Sequence, residues 1–198
     1  MNGDPLFAAD RRHVLRWNAH RDPDAFTALV RRHGPALRRV AAAVLGSAAR
    51  RDPELLADAL QEGYRRMMEA LPRYRGEAEP FAFLAAVLRR ACLDTMRRET
   101  RARGRADRAA ALGAGGAADP EGDPAGDAER AILADLVLSA LDRLGEPDRS
   151  LVYLRDAEGV AVADLSTAFR MPEGTVKSRL ARARTRIRRI LAEQGVEP

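Results

Sequence analysis

Between residues 174 and 192 the chain carries Lys177, Arg179, Arg182, Arg184, Arg186, Arg188 and Arg189 and no acid. Cations at that density suit phosphates and base edges, because a guanidinium donates paired hydrogen bonds to either. The same segment keeps Val176, Leu180, Ala183, Ile187 and Ile190 at spacings of four, three, four and three, the period of an amphipathic helix. With Val176 at the centre of that stripe, Ser178, Arg182 and Arg189 point away from it, and Lys177 and Arg179 flank the outward face. Upstream lies a short apolar-patterned segment, Val160 to Phe169, followed by the break Arg170-Met171-Pro172. Two helices joined by a turn of three or four residues form a helix-turn-helix, whose second helix enters the DNA major groove. A charge run alone usually means a solvated face. Here helix, turn and one-signed charge coincide, which points to DNA binding.

No other reactive side chains assemble. His13, His20 and His33 all lie near the start of the chain, and HExxH, CxxC and GxxxxGK[ST] patterns are missing. The histidines therefore read as surface groups, and no enzyme activity, metal or cofactor is expected. The single cysteine, Cys92, excludes an intrachain disulfide and fits a reducing compartment. It sits in an apolar helical stretch, as a small buried hydrophobe does. Net charge is +5 with a pI near 10.2, so a polyanionic partner is plausible, although Lys177 is the only lysine and the arginine excess by itself proves no phosphate chemistry. No apolar run approaches the roughly 18 residues of a membrane span, and Met1 to Pro5 lacks a signal-peptide pattern. A cytoplasmic protein without membrane insertion is expected.

The elements that must position these groups are helical. Residues 5–20 suit a short helix with Leu6, Phe7, Val14, Leu15 and Trp17 as apolar positions. Asp22-Pro23 and Asp52-Pro53 each combine an N-cap with a proline at the first helical position. The first opens a helix bearing Phe26, Leu29 and Val30, which Gly34-Pro35 is expected to break; Leu37, Val40, Ala41, Val44 and Leu45 then form another, ending at Gly46. The second runs to Leu71 and stops at Pro72. From about Pro80 to Thr100 or beyond, Phe81, Leu84, Val87, Leu88, Cys92 and Met96 share one side. Strand and hairpin signals are lacking.

The stretch 104–128 differs. It holds several glycines with Pro120 and Pro124, and from 109 to 129 it has five acids and no base. Such a segment has little to bury and reads as a flexible acidic linker. Before it, residues 89–108 hold eight Arg against three acids, a net of +5, so the linker separates two basic surfaces. After it, Ile132, Leu133, Leu136, Val137, Ala140, Leu141 and Leu144 line one helix face, Gly145 and Pro147 stop that helix, and Asp148 to Ala157 forms another. The expected architecture is all-α: an N-terminal extension (1–21), a helical domain (22–103), a linker (104–128) and a helix-turn-helix domain (129–195).

Several of these stretches resemble one family. Glu173-Gly174-Thr175-Val176-Lys177-Ser178-Arg179-Leu180-Ala181-Arg182-Ala183-Arg184 is similar to the end of region 4 in bacterial group IV (ECF) sigma factors of the sigma-70 family, and Leu141, Leu144, Pro147, Arg149, Leu151, Leu154, Arg155, Glu158-Gly159 and Asp164-Leu165 agree upstream. Asp58-Ala59-Leu60-Gln61-Glu62 resembles the polymerase-clamp motif of region 2. Pro72 to Glu77, with Phe81 and Leu84, and then Leu93-Asp94-Thr95-Met96-Arg97-Arg98 resemble its promoter-melting part. The resemblance covers about 22–103 and 129–192.

That resemblance implies a subunit that binds core RNA polymerase, recognises promoter DNA at −35 and −10 and helps to open it. Thr175, Lys177, Ser178, Arg179, Ala181 and Arg182 would meet the −35 element. Tyr74, Arg75, Gly76 and Glu77 would form the loop that takes a flipped −10 base, with Arg90, Asp94, Arg97, Arg98 and Arg101 on the following helix. Asp58, Gln61 and Glu62, which share one helix face at i, i+3 and i+4, would meet the polymerase β′ clamp; the β subunit and an anti-sigma factor are further implied partners. Tyr74 equally suits ordinary core packing. Departures from the pattern are Arg170 for a turn glycine, Ala161 for a capping serine, Ala181 for a larger base reader, Ala59 for leucine, Met68 for tryptophan, and a long segment from Gly46 to Asp58. A stand-alone helix-turn-helix regulator is the competing reading; it needs neither the Asp58-Gln61-Glu62 face nor the 89–108 stripe.

Overall fold

The structure, a computed structural model, describes residues 5–109 and 136–195, with side chains over 8–101 and 136–195. The acidic stretch 110–128, Ile132 and Leu133, and the side chains of Leu6 and Phe7 lie outside the described residues. No strand occurs among the described residues.

Helix α1 (Pro5–His20) leads into α2 (Pro23–Leu45) through an N-cap in which the Asp22 carboxylate accepts from the Asp24 N–H. Contrary to the sequence expectation, Pro35 lies inside α2 and does not end it. Gly34 has no Cβ to collide with the proline ring. Leu29 on one side of the break and Leu37 and Val40 on the other are buried in the same core. Each such side chain contributes about 1.5–3 kcal/mol, which together outweighs the roughly 3 kcal/mol that an interior proline costs. Gly46, at φ +60°, ends the helix. The long segment after it folds into a short additional helix, α3 (Ser47–Arg51).

Helix α4 (Pro53–Ala70) is capped by Asp52, which accepts from the Leu55 N–H at 3.0 Å, and it closes in a 3-10 turn, Leu71–Arg73. Helix α5 (Pro80–Ala109) buries Phe81, Leu84, Leu88 and Cys92 against α2 and α4. It continues through Gly104 to Ala109, into the first residues of the stretch expected to be linker. Helix α1 packs on the same body with Val14 and Trp17 buried, while Leu15 is 59% exposed. His33 is no surface group: it bonds Asp10 at 2.9 Å and stacks on Phe81. Burial pushes the Cys92 thiol up to about 12, which leaves it an inert hydrophobe.

Beyond the undescribed stretch, residues 136–142 are helical (α6), and a turn through the cis Glu146-Pro147 bond leads to α7 (Asp148–Val152), which runs on as a π turn, Tyr153–Ala157. Helices α8 (Val162–Phe169) and α9 (Glu173–Glu193) follow. Val176, Leu180, Ala183 and Ile190 are buried, as their period requires, and Ile187 is partly so. Val137, expected on the apolar face of its helix, is 43% exposed.

The two helical units dock face to face. The guanidinium of Arg149 collects the carbonyls of Leu141, Asp142 and Leu144, the unpaired end of α6, and reaches the Val44 carbonyl at the end of α2. A Cβ at Gly46 would lie 2.0 Å from the Asp142 carboxylate, so glycine permits this approach. Arg39 grips Glu158 with two hydrogen bonds of 3.0 and 2.9 Å.

Candidate nucleic-acid interface

In the helix-turn-helix, the turn residue Arg170 adopts the left-handed conformation (φ 55°, ψ 48°) that its departure from glycine put in question. Its N–H donates to the Ser166 and Thr167 carbonyls, and the Met171 N–H donates to Ser166 at 2.9 Å, which closes the end of α8. Ala161, at the N-cap, supplies no side-chain bond. With Val176 and Leu180 fixed below, Lys177, Ser178, Ala181 and Arg182 project outward and are exposed. Thr175 is half-buried. Lys177 pairs with Glu173 one turn back at 3.2 Å, an exposed pair that solvent screens. Arg179 does not join this outward set; its guanidinium is tied to Asp148 on α7 at 2.8 Å. Arg184 is likewise held by Asp156, which keeps its guanidinium firmly protonated.

The loop between the 3-10 turn and α5 closes on itself, with the Tyr74 hydroxyl donating to the Ala78 carbonyl. The Tyr74 ring packs on Phe83 with centroids 5.1 Å apart, and burial pushes its phenol up to about 12. Tyr74 therefore serves as a wall as well as a candidate contact. Beside it opens a cleft of about 660 Å³, lined by the loop, by Phe83, Val87 and Arg90 of α5, and by Thr167, Ala168 and Arg170 from the helix-turn-helix. Arg75 and Glu77 line it too, while Gly76, at φ +78°, makes the loop's bend.

The other residues expected on α5 divide. Arg97 is exposed and leans on Asp94 at 3.2 Å. Asp94 is bound by Arg66 of α4 at 2.5 Å, and that hydrogen bond is the main reason its carboxyl lies below the usual range. Arg98 and Arg101 line a groove together with Asp58, Gln61 and Glu62 rather than the loop cleft. Within the acidic face, Asp58 and Gln61 are exposed, whereas hydrogen bonds from Arg65 and Arg66 pull the Glu62 carboxyl down to about 2.

Sequence reasoning missed two residues. Asp164 of α8 accepts the Glu79 N–H at 2.8 Å, just ahead of α5. Arg89 bonds Glu146 at 2.6 Å and Ser150 at 3.2 Å, and its guanidinium lies 5.3 Å from the Phe169 ring centroid. The count of arginines along α5 signalled Arg89 alone, and no local pattern signalled the Asp164 contact, because each partner lies in the other unit.

An exposed helix of recognition type in one unit and an aromatic loop in the other, with a basic cleft between them, fit a two-grip nucleic-acid-binding protein of the helix-turn-helix class. Residues 29–102 match the family model for Sigma-70 region 2, and residues 134–187 match that for Sigma-70, region 4. The ECF RNA polymerase sigma factor SigM of Mycobacterium tuberculosis strain H37Rv is 35% identical over 170 residues, spanning 86% of this chain and 79% of that one. The RNA polymerase sigma-H factor of Pseudomonas aeruginosa is 32% identical over 148 residues, 71% and 75% of the two chains. Among solved structures, CnrH in complex with the cytosolic domain of CnrY superposes with a TM-score of 0.64 at 20% identity, covering 93% of this chain and 98% of that one. The sigma factor RpoE of Bartonella quintana, in complex with the anti-sigma factor NepR, gives 0.59 at 24%, covering 84% and 96%. At those identities the two likenesses establish the fold. The chain belongs to the sigma-70 family of RNA polymerase sigma factors, in its ECF branch.

Proposed function

We propose that the chain is a promoter-specificity subunit: it joins core RNA polymerase in the cytoplasm, brings it to −35 and −10 elements and helps to open the duplex, with no catalysis of its own. One observation carries this reading. The loop from Tyr74 to Glu79 and the outward helix-turn-helix face occur in a single chain, each inside its own family match. Lys177, Ser178, Ala181 and Arg182 read the −35 element, with Thr175 at the helix start. Unstacking a −10 base costs a few kcal/mol, and the cleft beside Tyr74 and Phe83 offers the base a stacking surface in return. Arg90 and Arg97 follow the phosphates. Asp58 and Gln61 meet the β′ clamp, and Arg98 and Arg101 border that contact. The functional units are residues 22–103, with α1 packed on them, and 129–195, and the β subunit is a further polymerase partner.

In the docked arrangement, α8 stands over the loop cleft, so the units separate before the −10 strand enters. CnrH and the Bartonella RpoE were each solved with a bound partner, the latter an anti-sigma factor. By that analogy this chain takes an anti-sigma factor that holds the units closed.

The reading is tested by mixing the protein with core polymerase and a genomic promoter library and mapping run-off transcripts. Specific start sites are expected, and Asp58→Ala with Gln61→Ala weakens core binding without altering duplex preference. If no complex forms and no specific starts occur, the protein is a polymerase-independent regulator.

A further inference from the structure

The first helix carries a cation to the bend of the loop that borders the cleft. Helix α1 is locked in place by polar contacts as well as by apolar ones. Buried Asp10 bonds His33 of α2 at 2.9 Å and pairs with Arg32 at 3.3 Å. The Trp17 indole N–H donates to the Met68 carbonyl at 3.3 Å, and the Asn18 amide donates to that of Leu71 at 3.0 Å. Those carbonyls end α4, so α1 caps the helix that leads into the loop. Arg11 follows Asp10 on this fixed helix, and it is exposed.

Its guanidinium lies against Gly76. A Cβ built on Gly76 would stand 3.3 Å from Nη2, 3.5 Å from Cζ and 3.6 Å from Nε of Arg11. Glycine at 76 answers the positive φ of the loop bend, and the Arg11 guanidinium lies in close contact beside it. The same cation is near enough to Tyr74 to act on its phenol, against the burial that raises it. The loop has no surplus positive charge: Arg73 and Arg75 are balanced by Glu77 and Glu79. A nucleotide whose base entered the cleft would bring a phosphate to a loop whose own charges cancel, with Arg90 of α5 the cation that α5 adds to the cleft.

We propose that Arg11 is a DNA-binding residue of the loop site, supplying from the first helix the charge that neutralises the phosphate beside the captured base. The proposal rests on the promoter-binding reading above. Arg11 would then be a shared element of two structures, the bend at Gly76 and the bound strand, and its replacement acts on single-stranded −10 DNA alone.

The test uses the holoenzyme and a fluorescent single-stranded oligonucleotide bearing the −10 element of a promoter mapped by the run-off experiment, titrated over a range of KCl concentrations. Arg11→Ala is expected to weaken binding roughly tenfold and to reduce the slope of log Kobs against log salt by about 0.7, the contribution of one phosphate contact on a single strand. Arg11→Lys keeps the slope. Core binding, −35 duplex binding and the melting temperature stay at parent values. Unchanged affinity and slope in Arg11→Ala overturn the proposal, as does an equal loss in Ala and Lys variants at the parent's slope, which marks a loop support. If the parent holoenzyme itself does not select the −10 strand over a scrambled one, the promoter-binding reading fails first and the proposal with it.

Discussion

The Asp164 carboxylate of α8 accepts the Glu79 backbone N–H at 2.8 Å, just ahead of α5. An acid from the DNA-reading unit thus satisfies one of the unpaired N–H groups at the start of a helix in the other unit. Beside it, Arg89 bridges to Glu146, Ser150 and Phe169. The two contacts close the protein over its own loop cleft.

Arg89→Ala therefore weakens that closure, leaving the contacts of Arg149, Arg39 and Asp164 in place. A charge-assisted hydrogen bond in a partly buried site contributes about 1.5–3 kcal/mol, so the separated fraction is expected to rise by roughly tenfold or more. Small-angle scattering reads this as a larger radius of gyration, and single-stranded −10 binding strengthens. An unaltered scattering profile would count against closure by this contact.

The outward set on α9 predicts a contrast between two arginines. Arg182 is exposed and makes no ion pair among the described residues, while Arg184 is held by Asp156. Arg182→Ala is expected to cost about 1–3 kcal/mol of discrimination at one −35 base pair. Arg184→Ala leaves base preference unchanged. Binding to a panel of single-base −35 variants separates the two.

The turn and cap leave stability to be gained. Arg170 is left-handed and Ala161 caps nothing. Arg170→Gly relieves about 1 kcal/mol or somewhat more, and Ala161→Ser adds about 1 kcal/mol. For a chain of this size each raises Tm by about 2–4 °C, which thermal melting followed by circular dichroism will register. A fall in Tm for Arg170→Gly would mean that the arginine's contacts outweigh its backbone cost.

Acid should loosen the first helix. Burial holds the His33 imidazole below its ordinary 6.5, against the opposing pull of Asp10, and Arg32 lowers it further. Because the folded value is depressed, the stability is complete above about 6.5 and is lost as pH falls through the lower folded value. The parent's Tm is expected to drop between pH 7.5 and 5, and part of that slope disappears in His33→Gln, which cannot titrate. Identical slopes in the two proteins would remove His33 from the account.

What the sequence determined by itself was local. The stripe Val176, Leu180, Ala183 and Ile190, the caps at Asp22 and Asp52 and the break at Arg170-Met171-Pro172 were all legible, because each depends on residues within a turn or two. The two grips were legible as motifs for the same reason. Tertiary structure decided which arginines are free. Arg179 is spent on Asp148 and Arg98 lines the acidic groove, although spacing set Arg179 beside the outward face and the resemblance put Arg98 with the DNA contacts. It also decided that α2 runs through Pro35, since burial on both sides of a break is not visible in the break itself. Above all it placed Arg11 against Gly76 and α8 over the loop cleft. Such pairings join residues far apart in the chain, and their energy depends on which faces meet, a property that no local period records.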